Sequence, residues 1–284
     1  MRRRGVSMVE LLVVIGILGT VLVLVLPAVQ KLRESALKIE SSNNLRQINL
    51  AIHQFAGDRS GKLPALNFGN EDARESVFFV ILPYLEHGSY YLDVKAGRLS
   101  HTSSVQIKPF ISPADPTMAD RFSYGTTSYA LNALAFQQRM NLPRSFRDGT
   151  SNTLSLGERY AFIRKPTEIF QNSWFDQEEL PTVVKSRGVT VTARRATFAD
   201  RPLGDVYPVD SGTPGVTTGS IPGLTFQIRP RIEDCDPRLT QTPHSSGMLV
   251  GLMDGGVRTI SRHVSPEVFW GAVTPSGGEV ANLD

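Results

Sequence analysis

Apolar residues fill the chain from Val6 to Leu26 almost without a break, 21 residues in all, with one acid, Glu10, inside the run. As a helix at ~1.5 Å per residue this segment is ~31 Å long, close to the ~30 Å hydrocarbon core of a bilayer. The pattern predicts a membrane-spanning helix over residues 6–27. Beyond Pro27 the period changes to that of an amphipathic helix. Val29, Leu32, Ala36 and Ile39 make a first stripe, and Leu45, Ile48, Ile52 and Phe55 a second, with Arg46, Gln47, Asn49 and Gln54 on other faces. One long helix to about Phe55 is expected, bent near Pro27 and loosened at Ser41-Ser42-Asn43-Asn44. Its second half, 28–57, should pack on a globular domain, and Gly57, Gly61 and Pro64 should end it.

The remainder alternates short apolar runs with Pro and Gly. Residues 77–85 predict a short buried helix ending near Pro83. Strands are expected over Val105–Ile111, Ser123–Leu131, Thr153–Tyr160, Val183–Thr197, Leu224–Ile228, Met248–Met253 and Val257–Ser261. Ser265-Pro266-Glu267 supplies an N-cap, a first-turn proline and an early acid for a helix over Val268–Val273. Residues 163–225 hold enough loop signals to form an insertion. The fold class is therefore α+β: a long N-terminal helix on a mostly antiparallel sheet, with residues 58–284 as one domain.

Composition narrows the functional classes. The 284-residue chain is 40% hydrophobic and 20% charged, as a folded protein is. Its net charge of +3 resides in Arg2, Arg3 and Arg4; removing these three from the 30 basic residues leaves 27 against 27 acids. No basic surplus is left for a nucleic-acid backbone. A single cysteine, Cys235, allows neither an internal disulfide nor a cysteine zinc site, and the five histidines show no zinc spacing. Phosphate-loop, dinucleotide and nucleophile-elbow motifs are absent. A triad can be drawn from Ser246, His244 and Asp254, but nothing in the sequence marks a nucleophile. No enzyme activity, catalytic residue, metal or cofactor is expected.

The basic start and the run Gly5-Val6-Ser7-Met8-Val9-Glu10 resemble the class III leader of type IV pilins and of the pseudopilins of type II secretion. The resemblance implies a pilin-like fold and cleavage by a prepilin peptidase between Gly5 and Val6, so that residues 1–5 are a leader and the new N-terminus is methylated. It also implies a single-pass protein of the cytoplasmic membrane with its large C-terminal domain outside the cytoplasm. Glu10 becomes the fifth mature residue, where it pairs with the amine of a neighbouring pilin-like subunit; Pro27 becomes the twenty-second. Removing one member of such a buried charge pair is strongly destabilising. A Glu snorkelling to the interface is the plainer reading of the same residue.

A further set of strings resembles a family of unknown function abundant in planctomycetes, the prepilin-type H-X9-DG processing-associated proteins. They are Asn43-Asn44-Leu45-Arg46-Gln47-Ile48, Leu82-Pro83-Tyr84-Leu85-Glu86, Ser112-Pro113-Ala114-Asp115-Pro116, Thr127-Ser128-Tyr129-Ala130-Leu131-Asn132, Asp148-Gly149-Thr150-Ser151-Asn152-Thr153 and Gly157-Glu158-Arg159. The last is His244, nine residues, then Asp254-Gly255. Where this family usually has Cys, the chain has Ser112. Asp254-Gly255 between two apolar runs predicts a tight hairpin with positive φ at both residues. His244, just before the first of these strands, is expected to bond a loop, with ligand or metal binding as the sharper reading. A second functional class is a membrane-tethered binding module for a surface polysaccharide or peptide, with Trp174 and Trp270 as the available stacking residues.

Overall fold

A computed structural model describes residues 8–66, 76–100, 105–118, 125–164, 169–175, 179–184, 189–199, 215–216, 225–236 and 238–278. Helix α1 runs from Met8 to Gly57 without interruption through Pro27 and through residues 41–44. The polar run at 41–44 does not loosen the helix because Ser41 and Asn44 are spent on the neighbouring loop. Ser41 Oγ lies 2.7 Å from Ser112 Oγ, and Asn44 Nδ2 donates to the Ile111 carbonyl at 2.8 Å. At its C-terminal end the Gly61 N–H returns to the Ala56 carbonyl, with Ser60 and Gly61 at positive φ.

Residues 77–85 form two short turns of helix. Helix α2, Val77–Val80, is capped by the Ser76 hydroxyl, and a 3-10 turn follows over Leu82–Leu85 with Pro83 near its start. Proline suits that first turn because the N–H it lacks has no helical partner there. Helix α3 is Gly88–Lys95 and helix α4 is Pro266–Val273, the latter capped by Ser265 as its sequence predicts. The expected strand at Val105–Ile111 does not form. Pro109 cannot donate to a ladder, and the chain makes a 3-10 turn over Lys108–Phe110 instead.

The strands are β1 (Tyr129–Asn132), β2 (Leu154–Glu158), β3 (Phe162–Arg164), β4 (Ile169–Gln171), β5 (Glu179–Val184), β6 (Val189–Arg194), β7 (Thr197–Phe198), β8 (Gly215–Val216), β9 (Gln227–Ile228), β10 (Gln241–Thr242), β11 (Gly247–Leu252) and β12 (Val257–Ser261). The central sheet has the order β12-β11-β2-β1-β7, antiparallel except for the parallel β1–β7 edge. Within the stretch 163–225, β5, β6 and β8 make a sheet of their own. Thr197–Phe198 returns to the central sheet and Trp174 enters the main core, so that stretch is not one detached unit. The architecture is α+β.

Two apolar layers flank the central sheet. Leu131, Leu156 and Leu249 share a core with Leu45, Ile48, Ile52 and Phe55 of α1. Ala130, Leu154, Met248, Val250 and Leu252 share another with Phe269 and Trp270 of α4. Full burial of each large apolar side chain stabilises the fold by roughly 1.5–3 kcal/mol, so the four α1 residues alone fasten the helix firmly. The buried face of α1 begins only at Ser41; from Met8 to Ala36 the helix is exposed all round. Its apolar first half is long enough to be a single membrane span, and none of it is buried by the rest of the chain.

Asn49 departs from its expected place on a polar face. It is buried at the contact between helix and sheet, and its side-chain oxygen accepts from Ser155 Oγ at 2.7 Å. The sequence hides this because it depends on a register shift. Gly251 pairs with Leu156 but Leu252 pairs with Leu154, so Ser155 is the extra residue of a bulge. A bulge re-aims the side chain it inserts, here toward the helix.

Candidate functional site

Glu158 closes β2 in the middle of the sheet and is 1% exposed. One carboxylate oxygen accepts from Thr242 Oγ1 at 2.7 Å and from the Leu249 N–H at 3.1 Å. The other lies 3.2 Å from His244 Nε2, and His244 is itself 2% exposed. That contact is an ion-pair distance without the alignment of a straight hydrogen bond. The Thr242 hydroxyl oxygen in turn accepts from the His244 N–H at 3.2 Å, which sets the turn leading into β11. A carboxylate in an apolar sheet is costly unless paired, and this one has three neighbours to offset that cost.

The turn carrying His244 faces two ways. Immediately after the buried imidazole, Ser245 Oγ donates to Glu34 Oε1 at 3.3 Å and Ser246 Oγ accepts from Lys38 Nζ at 3.0 Å. Both partners lie on α1 just before its buried face begins. At the far end of β11 the Asp254-Gly255 turn touches α1 again. The Gly256 carbonyl accepts from Asn49 Nδ2 at 3.5 Å, and a Cβ on Gly255 would lie 3.6 Å from His53 Nε2. The six residues of β11 cover roughly 20 Å at ~3.3 Å each. The fifteen steps from Lys38 to His53 cover roughly 22 Å of helix at ~1.5 Å each. The nine-residue spacing between His244 and Asp254 is thus the length of strand that joins one helix contact to the other.

The hairpin turn differs in type from the expected one. Gly255 has φ +90° while Asp254 is not at positive φ. The Gly255 N–H donates to the Leu252 carbonyl, and the Leu252 N–H donates to the Gly256 carbonyl. This is a turn closed by a glycine bulge, for which only the glycine must be left-handed. Asp254 contributes through its carboxylate, which accepts from the Gly256 N–H at 2.7 Å.

The remaining motif strings form a second buried network. Asp115 accepts four bonds, from the N–H and hydroxyl of Thr117, the hydroxyl of Ser128 and the Ala161 N–H, at 2.6–2.9 Å. Burial nonetheless pushes its carboxyl above the ordinary range, with these bonds opposing the shift. Asn132 ties β1 to the Leu154 and Val273 carbonyls at 2.8 and 2.7 Å. Asp148 accepts from Gly277 and Gly278 N–H groups at 2.6 and 2.9 Å. Arg159 lies buried over the Phe170 ring and donates to the Thr197 carbonyl. Burial also pushes the Tyr129 and Tyr160 hydroxyls up, assisted by charge on Glu158 for Tyr129.

The drawn triad does not assemble. Ser246 faces Lys38, His244 faces Glu158, and Asp254 sits beyond the far end of β11. Glu158 and His244 are both closed off from solvent. Among the described residues, no group of three or more His, Cys, Asp or Glu is placed to hold a metal ion. Trp174 and Trp270 are both buried, so neither offers a stacking platform. Cys235 is buried with Tyr160, Ile163 and Phe170. Glu10 is exposed on the first turn of α1, and Gly5 and Val6 lie outside the described residues. Sequence reasoning missed Glu158 as the partner of His244. Its signal was an acid ending the apolar run Leu154-Ser155-Leu156-Gly157.

The model of a family described as "Protein of unknown function (DUF1559)" matches residues 30–139, from the exposed part of α1 to the loop after β1. No curated protein and no solved structure matches the chain.

Proposed function

We propose that the protein is a prepilin-like, single-pass protein of the cytoplasmic membrane, without enzyme activity, whose C-terminal domain stands outside the cytoplasm. A prepilin peptidase removes residues 1–5 by cutting after Gly5, and the apolar stem starting at Val6 stays in the bilayer. The observation that carries this reading is the division of α1. Its first half is apolar and uncovered by the rest of the chain, and its buried face starts only at Ser41. An apolar helix that its own domain leaves bare needs another low-dielectric partner, and a bilayer of ~30 Å matches its length. The register of Gly5, Glu10 and Pro27, similar to that of pilins and pseudopilins, supports the processing step and a pseudopilus-type role. In that role Glu10 neutralises the amine freed on a neighbouring subunit, which would otherwise be an uncompensated charge in lipid. The partners are therefore the peptidase, the bilayer and other pilin-like helices; nucleic acid is not among them.

Protease shaving of spheroplasts tests the placement. External protease should digest the domain after residue 57 and leave a membrane-held stem. Protection of the domain in intact spheroplasts, with digestion only after lysis, would put it on the cytoplasmic side and overturn the proposal.

A further inference from the structure

At the end of α1 remote from its apolar half, two loops are stitched together and carry charge mostly of one sign. Residues 58–66 follow the helix, and residues 137–149 lie between β1 and β2. The Leu63 N–H donates to the Met140 carbonyl at 3.0 Å and the Leu142 N–H to the Gly61 carbonyl at 2.8 Å; Asn141 Nδ2 donates to the Ser60 carbonyl at 3.2 Å. A Cβ on Gly61 would lie 2.7 Å from the Leu142 carbonyl oxygen, so the loops meet where only glycine fits. Inside the second loop the Ser145 N–H donates to the Asn141 carbonyl and the Asn141 N–H to Ser145 Oγ, both at 2.9 Å. The side chains of this tip thus stand on a fixed backbone.

The two loops hold five cations, Arg59, Lys62, Arg139, Arg144 and Arg147, and two acids, Asp58 and Asp148. All five cations are exposed. The acids do not answer them. Asp58 accepts from the Tyr84 hydroxyl at 2.6 Å, and Asp148 is buried with its carboxylate on the Gly277 and Gly278 N–H groups. Arg59 lies over the Phe55 ring. Among the described residues none forms an ion pair with Lys62, Arg139, Arg144 or Arg147. A chain whose charged side chains beyond Arg4 balance at 27 against 27 therefore gathers unanswered cations here. Gln137 and Gln138 stand exposed beside Arg139, and Phe146, the one aromatic residue of the two loops, is buried.

We propose that this tip binds an acidic polysaccharide through its carboxylates. A guanidinium fork holds a carboxylate by two parallel bonds, and neighbouring amides both donate to and accept from sugar hydroxyls. Nucleic acid fits less well: single strands are held on exposed aromatic faces as well as on cations, and these loops expose no aromatic ring. The chain's own bilayer is out of reach on the membrane reading above, on which the proposal rests. The thirty steps of helix from Pro27 to Gly57 set the tip ~45 Å beyond the span, and a lipid surface potential fades within a Debye length of ~8 Å. On the same reading the tip faces away from the cytoplasm, toward polymers at the cell surface.

Binding of polygalacturonate to the full chain in a non-ionic detergent tests the proposal, with neutral dextran, duplex DNA and polyglutamate as the comparison polymers. Polygalacturonate should bind and dextran should not. Arg139→Gln with Arg144→Gln should weaken that binding several-fold, and added salt should weaken it in the parent chain. Arg258→Gln with Arg262→Gln removes the same charge from exposed positions elsewhere and should leave binding unchanged. Equal melting temperatures check that both variants fold. No binding of polygalacturonate, equal binding of dextran, or equal losses in the two variants would overturn the proposal. Tighter binding of DNA or of polyglutamate would overturn it in favour of a nucleic-acid or an acidic-peptide surface. Protection of the domain in intact spheroplasts is a separate failure: it overturns the outward placement, and with it access to such a polymer, while leaving these affinities as they are.

Discussion

Glu158 and His244 are adjacent in space and 86 positions apart in sequence. Because each is the other's neighbour in a dry site, their effects on stability should be coupled. His244→Ala in the full chain should cost about 1–3 kcal/mol, the usual penalty for leaving a buried polar group without its neighbour. The double variant with Glu158→Gln should cost less than the sum of the singles by about 1–3 kcal/mol in denaturant unfolding; additive costs would refute the pairing. Asp115 gives a pH signature of opposite sign to that of a salt-bridged acid. Its raised folded-state value means that the native state keeps a proton the unfolded chain has already released. Its contribution is thus greatest at low pH and is lost as pH rises through the folded value. Asp115→Asn should flatten that part of the stability profile above pH 4, read from unfolding midpoints at successive pH; an unchanged slope would contradict the assignment. None of this pairing was legible in the sequence. A buried Asn49 and a solvated one look alike in a helical period, and only the bulge at Ser155 distinguishes them.

At the level of elements the sequence was informative wherever local chemistry decides. The cap at Ser265, the end of α1 at Gly57 and the span of β12 follow from capping, glycine and alternation. It misled where one residue overrides a run, as Pro109 does between Val105 and Ile111. The α1–β11 contact depends on the lack of a side chain at Gly251, where a Cβ would lie 2.5 Å from Asn49 Nδ2 and 2.8 Å from Ser155 Oγ. Gly251→Ala should therefore destabilise by about 1–3 kcal/mol, as overpacking does. Gly57→Ala, where a Cβ meets nothing within 4 Å, should be neutral or slightly stabilising. Thermal melts of both variants in detergent check the contrast, and equal behaviour would mean that helix and strand are not in contact as described.

The whole molecule divides into a bare apolar stem and a domain latched to it at two heights by the ends of β11. The motif strings that a reader would inspect for chemistry prove to be joints: Glu158 and His244 at one height, Asn49 with the Asp254-Gly255 turn at the other. Glu158, His244 and Asn49 are buried, and Asp254 is exposed on its turn. Everything positional depends on the stem remaining attached. Mass spectrometry of the N-terminal peptide from membrane-bound protein tests this most directly. The account predicts a mature chain beginning at Val6, five residues short of the encoded start, with Glu10 and Pro27 still present. A mature chain beginning after Ala28 and recovered free in solution would contradict it.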